Sequence, residues 1–256
     1  MSIEFLYAQA RIRARLGRRL PEGGWRLIES SLGLAQYLHS ARASVLAPRV
    51  QHFTTRVSPH TIDRSLRHDW CEEVAAVGRW VPERWREAVC MTTWLPYLPS
   101  IAYLENGGTT LDWMHDDSVL AEMAQDDIAA RRLALGKSPF AGFLPAGETP
   151  DGSKRWIASW RYTWPAMGAV ERSSLEQLLA VVDRFSTEDG GANVGRARRE
   201  RLIHLDRTVA RLLRRRTGQP VVVFCYLLLA GLDLQRLRDG LVRRALFNDV
   251  VPEAAA

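Results

Sequence analysis

Ile3-Glu4-Phe5-Leu6-Tyr7-Ala8-Gln9-Ala10-Arg11-Ile12-Arg13-Ala14-Arg15-Leu16-Gly17-Arg18 decides the fold class of this 256-residue chain. Placed on a wheel of about 100° per residue, Ile3, Leu6, Tyr7, Ala10 and Ala14 fall on one side, and Phe5, Ala8, Ile12 and Leu16 fall nearly opposite. Arg11, Arg15 and Arg18 join Glu4 on one polar strip between the stripes, and Gln9 and Arg13 occupy the other. Two opposed apolar stripes predict a helix gripped from both sides inside a helical stack.

Outward from this segment, helical periodicity continues and strand alternation is nearly absent. Pro21 to Gly24 breaks the first helix, and Trp25, Ile28, Leu32 and Leu38 outline a second running toward Pro48. Ser58 can cap a helix with Pro59 at its first position, continued by Ile62, Leu66, Trp70, Val74 and Val77. A further helix is expected after Pro82 with Trp85, Val89 and Trp94, interrupted by Pro96 and Pro99, and Asn106 to Thr110 reads as a turn. Helices are expected near 155–164, 171–185, 196–216 and 221–247. The predicted architecture is all-α: one helical domain over 1–256, a multi-helix array of packed hairpins compatible with quasi-repeated lobes. Its approximate halves, 1–135 and 155–256, are joined by an irregular Gly- and Pro-rich connection over 136–154.

The chain is 46% hydrophobic and 25% charged, as in soluble globular proteins. Cys71, Cys90 and Cys225 are odd in number and widely spaced, which suggests neither a disulfide framework nor a thiol metal site and points to a reducing, cytoplasmic setting. The opening residues lack the apolar run and small-residue cleavage site of a signal peptide. The strongest apolar run, Val221 to Leu232, falls short of the roughly 20 residues needed to span a bilayer and reads as a buried helix.

The formal net charge of +6 comes mostly from arginine. Between 196 and 216 stand Arg196, Arg198, Arg199, Arg201, Arg207, Arg211, Arg214, Arg215 and Arg216, against Glu200 and Asp206. Leu202, Leu205, Val209 and Leu212 give the same helix a buried side, leaving Arg207, Arg211 and Arg214 as candidate partner-binding residues. A solvated basic helix is the commoner reading of such a segment; as a docking face it suits phosphates, anionic lipid heads or an acidic protein surface. Trp156, Trp160 and Trp164 recur every four residues as an aromatic ridge. Core packing is the favoured reading of that ridge, and an anchor for a partner or base stacking beside the arginines are the alternatives.

Motifs that carry chemistry are few. Gly136-Lys137-Ser138 resembles the end of a phosphate-binding loop, but Arg131 stands where its first glycine belongs and Pro139 opposes helix entry. His68, Asp69 and Cys71 on one helix cannot converge on a single ion. His115, Asp116 and Asp117 lack the alternation of a calcium loop and read as a helix amino-terminal cap. No catalytic residue, metal ligand, cofactor or small-molecule substrate is indicated, so a noncatalytic protein is expected.

The closing segment carries Tyr226, Leu227, Leu228, Leu234, Leu237, Leu241 and Leu246 as its apolar framework, with Asp233 before Arg236 and Asp239 before Arg243 at spacings that allow ion pairing. The opening Phe5-Leu6-Tyr7-Ala8-Gln9-Ala10-Arg11-Ile12-Arg13-Ala14 resembles the tyrosine-, alanine- and arginine-rich first helix of the C subunit (d in eukaryotes) of V-type and archaeal-type rotary ATPases. Leu232-Asp233-Leu234-Gln235-Arg236-Leu237-Arg238 is similar to that family's late helix, in which an acidic residue precedes an Asn-Leu-Arg-like motif; Gln235-Arg236-Leu237-Arg238 keeps part of it. The resemblance implies an all-helical, noncatalytic subunit of three quasi-repeated lobes around a funnel. Such a subunit joins the rotor's central stalk to the membrane ring, with ATP hydrolysis left to other subunits. The chain is shorter than a full member, which implies a reduced lobe. The expected partners are the other subunits of a membrane-associated complex, at the inner face of the membrane. The competing expectation is a basic nucleic-acid-binding module.

Overall fold

The computed structural model describes residues 3–138, 140–141, 152–187 and 194–247. All regular structure among them is helical, with no strand. A 3-10 turn over Ile3–Phe5 leads into α1 (Leu6–Leu16), α2 (Glu22–Glu29), α3 (Leu34–Arg42), α4 (Ala47–Val50), α5 (Pro59–Gly78) and α6 (Glu83–Cys90). A second 3-10 stretch, Met91–Tyr97, precedes α7 (Leu98–Glu105), α8 (Asp112–His115), α9 (Ile128–Lys137), α10 (Gly152–Tyr162), α11 (Ala169–Thr187), α12 (Val194–Arg215) and α13 (Val221–Leu246). The chain forms two compact units, one of Met1–Glu83 with Ala166–Ala256, the other of Arg84–Pro165.

Helix α13 is the axis of the first unit. Its first two turns, Val221 to Leu227, are buried without a break, and α12, α5, α1, α11 and α3 all pack against the helix along its length. An apolar run without a polar face needs such a surround. Among the described residues no helix is long and apolar enough to cross a membrane. Ser58 caps α5, its hydroxyl accepting from the Thr61 N–H at 3.1 Å, and Ile62, Leu66, Trp70, Val74 and Val77 are buried at the expected spacing.

Helix α1 departs from expectation. Only Phe5, Ala8 and Ile12 face the core, together with Gln9, whereas Leu6 is 44% and Tyr7 60% exposed and Ala10 and Ala14 face solvent. The helix is held from one side. Gln9 is buried because its Oε1 accepts from the Gly218 N–H at 2.8 Å, in the α12–α13 turn where Gly218 adopts φ +75°. Arg15 leaves its expected solvent strip to pair with buried Glu73 of α5 at 2.5 Å, and Glu73 also accepts from the Tyr226 hydroxyl at 2.5 Å. Arg11 and Arg15 lie over the Trp80 ring at 5.4 and 5.2 Å.

The expected helix from Trp25 toward Pro48 is broken. Helix α2 ends at Glu29, α3 begins at Leu34, and Leu32 between them is 92% exposed. Arg244 of α13 explains the break by donating to the Glu29 carbonyl at 2.8 Å and the Ser31 carbonyl at 2.6 Å. Those acceptors would otherwise serve a continuing helix.

In the second unit, Pro99 starts α7 instead of interrupting a helix. Gly107 at φ +79° ends α7, with the Gly108 N–H bonded to the Tyr103 carbonyl at 3.0 Å. Buried Arg131 of α9 locks this turn, donating to the Leu104 and Gly108 carbonyls at 3.2 and 2.7 Å. Asp117 caps the turn that follows α8, accepting from the Val119 and Leu120 N–H groups, so it closes a turn and not the helix start that was expected. Trp156, Trp160 and Trp164 are all buried, as the core reading requires. Trp156 and Trp160 stack at 5.6 Å, and their indole N–H groups donate to the carbonyls of Met91 (3.2 Å) and Ala88 (2.9 Å). A ridge so placed offers no stacking surface for bases. Most of the expected 136–154 connection lies outside the described residues.

The tightest approach in the first unit is at Gly240, where a Cβ would stand 2.2 Å from the buried Tyr37 hydroxyl. Gly240→Ala is expected to destabilise the protein by about 1–3 kcal/mol through overpacking, read as a lower denaturant midpoint. Among the described residues the Tyr37 hydroxyl has no hydrogen-bond partner. Adding Tyr37→Phe removes the hydroxyl but leaves the ring carbon Cζ 2.6 Å from that Cβ, so it should recover only part of the loss. In the second unit, Trp160→Phe, which removes the indole bond to the Ala88 carbonyl, is expected to cost about 1–3 kcal/mol. Thermal unfolding followed by circular dichroism reads it.

Candidate partner-binding groove

In the first unit the end of α1, α2, α12 and α13 border a groove of about 610 Å³. Leu16, Leu20, Leu202, Ile203 and Leu232 line it as half-buried apolar side chains. Two internal ion clusters cross this floor. Arg19, just past α1, donates from Nε and Nη2 to both oxygens of Asp233 at 2.7 and 2.8 Å, and from Nη2 to Asp206 of α12 at 2.6 Å. Arg236 of α13 reaches Glu29 at 2.5 and 2.9 Å and Glu22 at 2.6 and 3.2 Å, with its guanidinium 4.8 Å from the Trp25 ring centre. Arg199 of α12 pairs with the same Glu29 and approaches Glu22 at 3.8 Å. Bidentate geometry makes these the strong class of charge-assisted contact.

The electrostatics follow from this crowding. Burial opposes the charge of Arg19, but the hydrogen bonds and field of Asp233 and Asp206 outweigh it and hold its pKa above the ordinary arginine value. Arg236 behaves alike, burial being overcome by Glu29 and Glu22. The hydrogen bonds from Arg236 hold the Glu22 carboxyl below its usual range against the opposing effect of burial. At the end of α13, burial lowers the pKa of Arg244, whose guanidinium meets backbone carbonyls and lies over the Tyr37 ring at 4.3 Å.

These pairings replace the two expected within α13. Asp233 binds Arg19 instead of Arg236, which is drawn to two carboxylates on α2. Asp239 accepts from Gln235 at 2.7 Å and lies 3.7 Å from Arg238, leaving Arg243 without it. A helical neighbour at i+3 or i+4 is worth only tenths of a kcal/mol, so for Asp233 and Arg236 better oriented and less solvated partners outside α13 prevail, while Asp239 stays with neighbours on α13 itself.

Arg207, Arg211 and Arg214 are all exposed on α12, opposite the buried Leu205, Val209 and Leu212. Arg207 and Arg214 line the groove and Arg211 does not. Instead the Arg211 side chain donates back to the Arg207 carbonyl at 3.3 Å and to the Thr208 hydroxyl at 3.1 Å. The side chains of Arg196 and Arg198 lie outside the described residues. Arg243, on the α13 wall, is a lining residue that the sequence had marked only as an ion-pair member.

The groove contains no histidine or cysteine, and each of its carboxylates already accepts a hydrogen bond. Among the described residues no cluster of His, Cys, Asp and Glu could hold a metal ion. What the groove offers is a mixed apolar and guanidinium surface, suited to binding.

The ion clusters make stability depend on acid. Because the folded-state pKa of Glu22 lies below its ordinary value of 4.5, the unfolded chain takes up that proton first as pH falls. The stabilisation is complete above the unfolded pKa and is lost as pH drops through the folded one. Melting temperature is therefore expected to fall as pH is lowered from about 5 to 3, with a shallower fall in Glu22→Gln. Equal slopes in the two proteins would remove Glu22 from the account.

Comparison of the chain with models of known protein families finds no match, and comparison with curated proteins finds none either.

Proposed function

We propose that this protein is a noncatalytic helical adaptor resembling the C (d) subunit of rotary ATPases, which joins the central stalk to the membrane ring. One observation carries the reading. The two stretches that bear the resemblance, Phe5 to Ala14 and Leu232 to Arg238, lie far apart in sequence but fall on α1 and α13, which pack against each other. Arg19, five residues past the first stretch, then pairs with Asp233 inside the second. A coupling element must resist deformation while holding neighbours. Helix α13, walled in by five others and cross-linked by Arg19, Arg236 and Arg238, has that character. In this role the chain sits peripherally at the inner, cytoplasmic face of a membrane and contributes to ion transport through its partners.

The exposed arginines of α12 favour a second reading, a nucleic-acid-binding module, whose affinity would fall steeply with salt as phosphate counterions are released. That reading has lost its aromatic element, since the tryptophan ridge is buried.

Native purification from the source cells separates the two. Co-purification with rotary ATPase subunits is the expected result, and recovery free of any such complex, with nucleic acid bound, overturns the adaptor reading. Reversing Arg207, Arg211 and Arg214 together to glutamate should lower complex recovery several-fold and change its salt dependence while helical circular dichroism is retained.

A further inference from the structure

We infer that the groove between α12 and α13 is a docking site for an amphipathic helix of a partner protein, one with an apolar stripe flanked by carboxylates two turns apart. This rests on the adaptor reading only in taking the occupant to be a protein. Internal pairing leaves positive charge over at the groove. Arg19, Arg199 and Arg236 are each matched by carboxylates of the groove itself. Arg207, Arg214 and Arg243 have no carboxylate partner among the described residues, and all three are exposed at its edge.

Geometry narrows the occupant. Arg207 and Arg214 are seven residues apart on one helix, so they share a face and stand two turns, about 10.5 Å, from each other. That repeat matches carboxylates at i and i+7 of a helix lying along α12. Arg243 stands on the opposite wall, so the rim is basic on both sides of the floor. Between the internally paired ion clusters that floor carries half-buried leucine and isoleucine, which an apolar stripe would cover. Arg211 lies between the two rim residues in sequence but is folded back on its own helix. A polyphosphate backbone has no apolar surface to lay on this floor, and its charge would draw equally on Arg211, so the lining favours protein over nucleic acid.

The test uses the full chain and a fluorescein-labelled synthetic helix of two heptads, with a leucine stripe and glutamates seven residues apart. A companion peptide carries lysine in place of glutamate. Fluorescence anisotropy should show the glutamate peptide binding and the lysine peptide not. Arg207→Glu, Arg214→Glu and Arg243→Glu should each weaken binding about tenfold, whereas Arg211→Glu should change it less than about twofold. The double variant Arg207→Glu/Arg214→Glu should instead bind the lysine peptide, which also shows that the variant is folded. The proposal is overturned if the glutamate peptide fails to bind, if it binds no tighter than its lysine companion, or if Arg211→Glu costs as much as Arg207→Glu. A single-stranded oligonucleotide that displaces the glutamate peptide at lower concentration than unlabelled peptide overturns it in favour of nucleic acid. Peptide binding together with native purification free of rotary ATPase subunits would retire that assignment and leave the docking site standing.

Discussion

Arg236 is the constraint around which the first unit is arranged. A guanidinium placed among leucines on a crowded helix must be met by carboxylate, because an unpaired buried charge costs several kcal/mol. Glu22 and Glu29 meet it from one face of α2, seven residues apart, and Trp25 between them lies against the guanidinium. Arg199 brings α12 to the same two carboxylates. Apolar burial is non-directional and would tolerate α2 sliding along α13. The paired glutamates do not, since a shift of one turn would strand Arg236.

A second polar tie works on another side of α13. Glu73, buried on α5, is shared by Arg15 of α1 and Tyr226 of α13, so three helices meet at one carboxylate. Burial and the Glu73 carboxylate both push the Tyr226 phenol well above its ordinary pKa, which keeps it a hydrogen-bond donor across the whole physiological range. The core thus combines an apolar axis with a few heavily used polar junctions. Each junction joins elements that are distant in sequence.

That distance explains what was legible in the sequence and what was not. Ser58-Pro59 announced α5 correctly because capping is local, and Val221 to Leu232 announced a buried helix because an unbroken apolar run leaves no exposed face. The two stripes of α1 were both visible, but periodicity cannot say which one meets the core. The choice is made by α13 and by Gly218 reaching Gln9. The break between α2 and α3 was hidden because its cause, Arg244, lies 213 residues beyond Ser31. The groove was half legible: composition singled out Arg207 and Arg214, whereas only the fold could bring in Arg243 and set Arg211 aside.

The first unit is assembled from both flanks of the second, and this sets an order of events during synthesis. Arg19 and Asp233 are 214 residues apart, as are Glu22 and Arg236. At about 5–20 residues per second, the earlier member of each pair leaves the ribosome roughly 10–40 s before its partner is made. For that interval α1 and α5 have no α13 to pack against, while Arg84 to Pro165 can already be joined by its own tryptophan and arginine locks. The nascent chain therefore spends its longest exposure with the apolar faces of its opening helices uncovered, the state in which holdase chaperones find their substrates.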